Sequence, residues 1–251
     1  MHKLIIMWSH PRSMSTAMER VMRERGDLDC GHEPFMYDYY VARKVRQIPH
    51  FEAEKGRPLT YEDVRDSLLA RAEAGPVFVK DMAYYVMPRI LEDEDFLARI
   101  THCFLIRDPA ASIRSYFKLD PEVTCAEIGL EAQWQLFEAL QARGLAAPVV
   151  RAEDIRADTR GTVAKLWLEL GLEHRDGAFD WQQGTPQEWG QVSGWHGDVS
   201  SSGGIRALTP EELAQQHRAF EALAAEHPHL AGYEAHHRPF YERLSKQALT
   251  V

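Results

Sequence analysis

The chain has 251 residues, a formal net charge of −9 and an apolar content of 45%. That length fits one large domain or one domain with a cap, and the apolar fraction is ample for a core. The acidic balance argues against a nucleic-acid groove or an anionic membrane surface, both of which need a basic face.

The first element is an unbroken apolar run, Leu4–Trp8, expected as a buried strand. It is too short for a signal peptide, and no stretch is long enough to span a membrane. A polar turn, Ser9 to Thr16, leads into a helix over Ser15–Glu24. Further on, Tyr61–Ala74 carries Val64, Leu68 and Leu69 on one helical side, and Val77–Val79 and Cys103–Ile106 read as further buried strands. Asp108-Pro109 makes an N-cap and first-turn pair before a helix over Ala110–Phe117. Thr124 and Glu127 form a capping box ahead of a helix with Ile128, Trp134, Phe137 and Leu140 inward, stopped by Gly144. Pro148–Val150 is the next expected strand, followed by a helix over Thr162–Leu170 closed by Gly171. Residues 173–206, rich in Gly, Ser, Trp and Gln, read as a long functional loop region. Thr209-Pro210-Glu211-Glu212 opens a last helix with Leu213, Phe220 and Leu223 on its buried side.

Strands without polar alternation, separated by helices, predict a three-layer doubly wound α/β fold with a parallel sheet. Residues 1–172 form its core, with the first strand in the sheet interior. Residues 173–251 add a loop-rich segment and C-terminal helices to the same single domain. The three cysteines, Cys30, Cys103 and Cys125, show no C-x-x-C spacing and read as reduced buried thiols of a cytoplasmic protein.

The strand–turn–helix junction at residues 4–24 is an anion site by construction. Unpaired N–H groups and the positive end of the helix dipole converge on the turn. Ser13, Ser15 and Thr16 add hydroxyl donors, and Arg12 adds a planar cationic fork. Taken alone, the same residues also fit a surface arginine beside helix-capping serines. The turn lacks the G-x-x-x-x-G-K-[ST] pattern, which disfavours an ATP or GTP hydrolase. A second stretch, HCFLIRDPAASIRSYFKL, places Arg107 at a strand end, where open α/β sheets bind ligands, with Ser112 and Ser115 on the next helix. An Arg107–Asp108 turn contact is the plainer alternative.

P-R-S-x-S-T after the first strand, and R-D-P followed by a serine eight positions after the arginine, resemble the two nucleotide signatures of the sulfotransferase family. VVRAEDIRADTRGTVAKLWLELGL, with its Glu153-Asp154 pair, resembles that family's later strand and helix. The resemblance covers roughly the first two-thirds of the chain. It implies a P-loop-like α/β fold and 3′-phosphoadenosine 5′-phosphosulfate (PAPS) as co-substrate. Arg12, Ser13, Met14, Ser15 and Thr16 would then form the 5′-phosphosulfate loop, and Arg107 and Ser115 the 3′-phosphate site. The sequence departs from the family at Met14, where glycine is usual. It departs again at Met82, where many cytosolic members have the histidine base of a Lys-x-His pair; Lys80 keeps the lysine. Gly203-Gly204-Ile205-Arg206 is a weak counterpart of the family's C-terminal nucleotide clamp, and no role is carried to it.

Sulfuryl transfer is in-line displacement at sulfur. The protein must accept the nucleophile's proton and stabilise charge on the leaving oxygen. Arg12 and Lys80 are the candidates for the leaving group, with Ser13 donating, and this logic requires no metal. For the base, Glu33 ranks first, because the resemblance implies a glutamate at a similar place in members that lack the histidine; Asp81, beside Lys80, ranks second and His10 third, and a partly desolvated carboxylate has a raised pKa and accepts a proton near neutral pH. A structural contact with a loop N–H is the other role open to Glu33. Phe35, Tyr37, Tyr39, Tyr40, Tyr84 and Tyr85 either wall an acceptor pocket or pack as core. His227, His229, His236 and His237 read as surface or capping residues. The expected activity is sulfuryl transfer to a hydroxyl or amine of a small-molecule acceptor. A degenerate nucleotide binder and, further off, a small-molecule kinase are the rivals.

Overall fold

A computed structural model of the chain describes residues 2–181, 184, 186, 189–190, 194–195 and 203–250. Its strands are β1 (Leu4–Ser9), β2 (Asp29–His32), β3 (Val77–Met82), β4 (Ile100–Ile106) and β5 (Val149–Arg151). They form one parallel sheet in the order β2-β3-β1-β4-β5, so β1 lies at its centre. Leu4 sits opposite Val77 on one side and Ile100 on the other. The continuous apolar run of β1 now has its reason. Leu4, Ile6 and Trp8 enter one core layer, while Ile5 and Met7 enter a second layer on the opposite face. A strand buried on both faces has no polar side to show.

The helices are α1 (Ser15–Glu24), α2 (Tyr61–Ala74), α3 (Ala83–Val86), α4 (Glu94–Arg99), α5 (Pro109–Phe117), α6 (Leu130–Ala142), α7 (Ala152–Ala157) and α8 (Thr159–Glu169), followed by Pro210–Glu226 and Pro228–Ser245. Their starts follow local chemistry. Asp108 caps α5 by accepting from Ala111 N at 3.2 Å, and Thr209 with Glu212 makes a reciprocal capping box for Pro210–Glu226. Each such cap contributes about 1 kcal/mol. Among the described residues, no helix is long and apolar enough to cross a membrane.

Several expectations need correction. Strand β2 was not expected, because Asp29-Cys30-Gly31-His32 has no apolar run; it is an edge strand held by β3 alone. Thr124 and Glu127 do meet, with Thr124 N and Oγ1 both donating to Glu127 Oε2 at 3.0 and 2.8 Å, but the hydroxyl accepts nothing in return among the described residues, so the expected capping box does not form and the contact leads only into a short 3₁₀ turn, Ala126–Ile128. Gly129, at φ 80°, then breaks the chain before α6 begins. Ile128 consequently joins a separate cluster with Ile113, Tyr116 and Phe220 instead of lying inward on α6. Leu213 is exposed, and Pro210–Glu226 is not the last helix. Part of the supposed loop region is a 3₁₀ turn, Asp176–Phe179, that buries Phe179 against Trp167; much of 182–202 lies outside the described residues. Cys30 and Cys103 are buried free thiols, whereas Cys125 is only half-buried.

Candidate active site

The turn after β1 is tightly wound. Ser13 N donates to the His10 carbonyl at 3.2 Å, and both Arg12 (φ 62°) and Met14 (φ 72°) occupy the left-handed region. That geometry is one that glycine adopts at no steric cost. A side chain there costs roughly 1–2 kcal/mol, and Met14 bears it as the residue that leads into α1. Of five non-glycine residues with positive φ among the described residues, three (Arg12, Met14 and Glu33, φ 42°) line one cavity. Such strain concentrates where a protein positions ligands.

The cavity, ≈ 520 Å³, opens at the carboxyl ends of β1, β3 and β4. Pro11, Arg12, Met14, Ser15 and Thr16 form its floor, while Arg107, Arg114 and Ser115 form one wall. The turn and the wall are tied together. Arg12 Nε donates to Ser115 Oγ at 2.9 Å, and Arg107 Nη1 donates to the Arg12 carbonyl at 2.8 Å. Arg12 Nη1 reaches the Trp195 carbonyl at 2.7 Å, Trp195 in turn donates to the Pro49 carbonyl at 2.9 Å, and Ile48 and Trp195 both line the cavity. Among the described residues, six cations line it, Arg12, Lys80, Arg107, Arg114, Arg156 and Arg206, against the single carboxylate of Glu33. In a chain of net charge −9 this concentration is a local inversion. Burial, and after it repulsion by Arg156 and Arg12, brings the Arg107 pKa down to about 10. A guanidinium remains charged at that value, and such a cluster fits a ligand with several negative charges.

Glu33 and Lys80 meet at the base of the cavity as a direct ion pair, with Lys80 only 1% exposed. Tyr85 donates its hydroxyl to Glu33 Oε2 at 3.2 Å. Burial alone would raise the Glu33 pKa, but Lys80 and His32 outweigh it, and the group is held below its ordinary value. The raised pKa expected from desolvation is thus corrected: Lys80 and His32 together outweigh burial. Asp81 has the raised pKa instead, through burial, but its oxygens accept from Phe35 N at 2.9 Å and Met82 N at 2.8 Å, and it does not line the cavity. His10 is likewise buried and off the cavity wall. Its Nε2 accepts from the Arg107 amide at 3.0 Å, and burial pushes its pKa down to about 3. Ser13 is buried and does not reach the wall, and its hydroxyl has no hydrogen-bond partner among the described residues.

Sequence reasoning missed Arg114, Arg156, Trp195 and Gln216, all on the cavity. Arg114 and Arg156 lie inside stretches already singled out, Gln216 on the helix opened by Thr209, where only apolar positions were marked, and Trp195 in the region read as a loop. Gly204, Ile205 and Arg206 do line the cavity. Of the aromatics, Tyr84 and Tyr85 reach it, while Phe35 and Tyr37 pack elsewhere. His237 is corrected from surface to core: its Nε2 donates to the Cys125 carbonyl at 2.8 Å. Cys125, His236 and His237 bring metal-type donor atoms within 4.8 Å of one another, off the cavity wall.

A parallel α/β sheet with a cation-lined cavity at its strand ends has the charge and placement that suit a polyanionic ligand. The family model described as "Sulfotransferase domain" matches residues 3–236, and the chain belongs to that family. The sulfotransferase domain from the curacin biosynthetic pathway superposes with a TM-score of 0.54 at 14% identity, covering 89% of this chain and 98% of that one. The sulfotransferase domain from the Synechococcus PCC 7002 olefin synthase has a TM-score of 0.50 at 16% identity, covering 89% and 96%. Both share the fold. Among curated relatives, "Branched-chain-amino-acid aminotransferase-like protein 2" of Arabidopsis thaliana is 24% identical over 207 residues, 77% of this chain and 34% of that protein. The chain spans about a third of the length of the curated relatives it matches.

Proposed function

We propose that the chain transfers the sulfuryl group of PAPS to a hydroxyl or amine of a small-molecule acceptor, as a single-domain cytoplasmic enzyme. The observation that carries this reading is the juxtaposition of one buried carboxylate–lysine pair with a cation-lined cavity in an acidic protein. Arg12, Ser15 and Thr16 take the 5′-phosphosulfate end, and Arg107 with Ser115 takes the 3′-phosphate. Met36, Ile48, Tyr84, Tyr85, Tyr116 and Trp195 line the remainder, which suits an acceptor with an apolar or aromatic body.

Glu33 is the base and Lys80 the leaving-group cation. In the resting pair each neutralises the other, which keeps the base weak until substrates arrive. The acceptor's O–H or N–H bond breaks as its proton passes to Glu33 and its oxygen or nitrogen bonds to sulfur. The sulfur–oxygen bond to the nucleotide breaks, and the electron pair stays on the departing phosphate. Protonation of Glu33 releases Lys80 at the moment that oxygen gains charge, so one proton transfer serves both ends of the displacement. Met82 on the cavity wall favours the rival reading, a nucleotide binder without transfer. The test is a thermal-shift titration with 3′-phosphoadenosine 5′-phosphate against ATP, followed by turnover of PAPS with a panel of phenols, aliphatic alcohols and amines. Preference for the bisphosphate and turnover support the proposal; preference for ATP refutes it, and bisphosphate binding without turnover selects the binder.

A further inference from the structure

Cys125, His236 and His237 lie off the cavity wall and take no part in the reaction outlined above. Two elements bring them together. Cys125 stands at the start of the 3₁₀ turn Ala126–Ile128, and the histidines are consecutive on the helix Pro228–Ser245. The thiol sulfur and one nitrogen of each ring lie within 4.8 Å of one another. Cys125 Sγ is 3.6 Å from His237 Nε2. Tetrahedral zinc, with Zn–S about 2.3 Å and Zn–N about 2.0 Å, sets a sulfur and a nitrogen about 3.5 Å apart, so this pair already stands at ligand spacing. His236 is exposed and pairs through Nε2 with Glu131 Oε2 at 2.9 Å, which brings a carboxylate to the edge of the cluster. Protonation states agree with this geometry. Burial lowers the His237 pKa to about 4, so the ring is neutral near pH 7 and offers lone pairs instead of repelling a cation. Its Nδ1 is buried without a hydrogen-bond partner among the described residues, so the protein alone does not account for every polar atom of this core histidine. Burial, and after it the charge of Glu131, raises the Cys125 pKa, which keeps the thiol protonated and a poor nucleophile until something displaces the proton.

We propose that Cys125, His236 and His237 bind one zinc ion, with Glu131 or a water as the fourth ligand, and that the ion staples the helix Pro228–Ser245 to the turn before α6. On binding, the Cys125 S–H bond breaks, the sulfur bonds to zinc and the proton leaves to solvent. The His237 ring proton shifts from Nε2, which gives up the Cys125 carbonyl, to Nδ1, and the ring exchanges one hydrogen bond for a metal–nitrogen bond. A small rotation of the exposed His236 ring closes the remaining distance. One thiolate and two imidazoles form a donor set that suits zinc over the hard cations calcium and magnesium. No step of sulfuryl transfer passes through this ion, and the inference stands apart from that reading.

Calorimetric titration of the tag-free protein with zinc chloride, under a phosphine reductant, reads the site directly. Zinc should bind 1:1 with a Kd below ~1 μM at neutral pH and raise Tm when saturating. Cobalt(II) in its place should show a thiolate-to-metal charge-transfer band together with the intense visible bands of a four-coordinate ion. Cys125→Ser and His236→Ala should each weaken zinc by more than about 100-fold, because losing even a partner that orients a ligand costs roughly 10–100-fold. Cys125→Ser should also abolish the charge-transfer band. His227→Ala, which removes a surface histidine elsewhere on the molecule, should leave zinc binding unchanged. The cobalt spectrum of the wild type decides even where a variant unfolds. A cobalt complex without the sulfur band, the lack of 1:1 zinc binding, or wild-type zinc affinity in both Cys125→Ser and His236→Ala overturns the site.

Discussion

Glu33→Gln separates catalysis from charge balance. The substitution keeps the size of the side chain and leaves an oxygen to receive Lys80 and Tyr85, but it cannot take a proton. Turnover should fall about 10²–10⁴-fold. From sequence alone, nucleotide affinity would be left unchanged; the Glu33–Lys80 pair alters that expectation. Lys80 is 1% exposed, and in the variant its ammonium faces no formal counter-charge at close range. Removing one partner of a buried pair costs roughly 3–5 kcal/mol, and the retained amide oxygen places this case near the lower end. In a chain of this size about 3 kcal/mol lowers Tm by roughly 6–12 °C. The bound nucleotide restores the missing negative charge, so 3′-phosphoadenosine 5′-phosphate should bind tighter to the variant, by about an order of magnitude. Its thermal upshift should likewise exceed that of the wild type at the same free concentration. Differential scanning fluorimetry with and without nucleotide, calorimetric Kd values and initial rates with PAPS check the three parts. A variant with wild-type Tm and wild-type nucleotide affinity would show that Lys80 is not balanced by Glu33. Wild-type turnover would remove Glu33 from the chemistry.

Arg107→Ala should weaken 3′-phosphoadenosine 5′-phosphate by about 2–5 kcal/mol and adenosine 5′-phosphosulfate, which lacks the 3′-phosphate, far less; equal losses by calorimetry would place Arg107 at the other end of the ligand. Glu19 has its pKa lowered from 4.5 to about 2, so it stabilises the fold above pH ~4.5 by about 3 kcal/mol and loses that contribution as pH falls toward ~2. In urea melts the stability gap between wild type and Glu19→Gln should therefore close over that window, and a constant gap would contradict the assignment. Gly129→Ala should destabilise by about 1–3 kcal/mol, because its φ is +80° and the new Cβ meets His10 Cβ and Tyr84 Cδ1 at 3.1 Å. Unchanged thermal unfolding would refute it.

The sequence made legible what depends on local pattern. The central strand was visible because burial on both faces leaves no polar residue in Leu4–Trp8. The Arg12 turn and Arg107 were visible because each directly precedes or follows a recognisable element. What stayed hidden depends on distance in space. His32 sits on a four-residue edge strand with no apolar signature, and Glu19 looks like one more polar residue of α1 until the fold buries it completely. The base candidates show the same divide. Residue type made Glu33, Asp81 and His10 comparable, and only the fold distinguishes a carboxylate that faces the cavity from one occupied by two backbone amides and from a histidine that holds Arg107 N. Desolvation pointed to the wrong sign for the Glu33 pKa because its opponent, Lys80, lies 47 positions away in the chain.

Gln133 on α6 is wholly buried, and its side-chain amide donates both hydrogens across the sheet, to the Trp8 carbonyl at 2.9 Å and to the Leu105 carbonyl at 3.0 Å. Those carbonyls stand one residue before the last positions of β1 and β4, where the Arg12 turn and Arg107 begin. One side chain thus clamps the two strand ends together from beneath. The spacing between the floor and wall of the cavity is thus held from the buried interior as well as by the Arg12 and Arg107 contacts above it. The fold holds a fixed gauge, and a molecule with negative groups at the wrong separation meets a ruler that does not stretch.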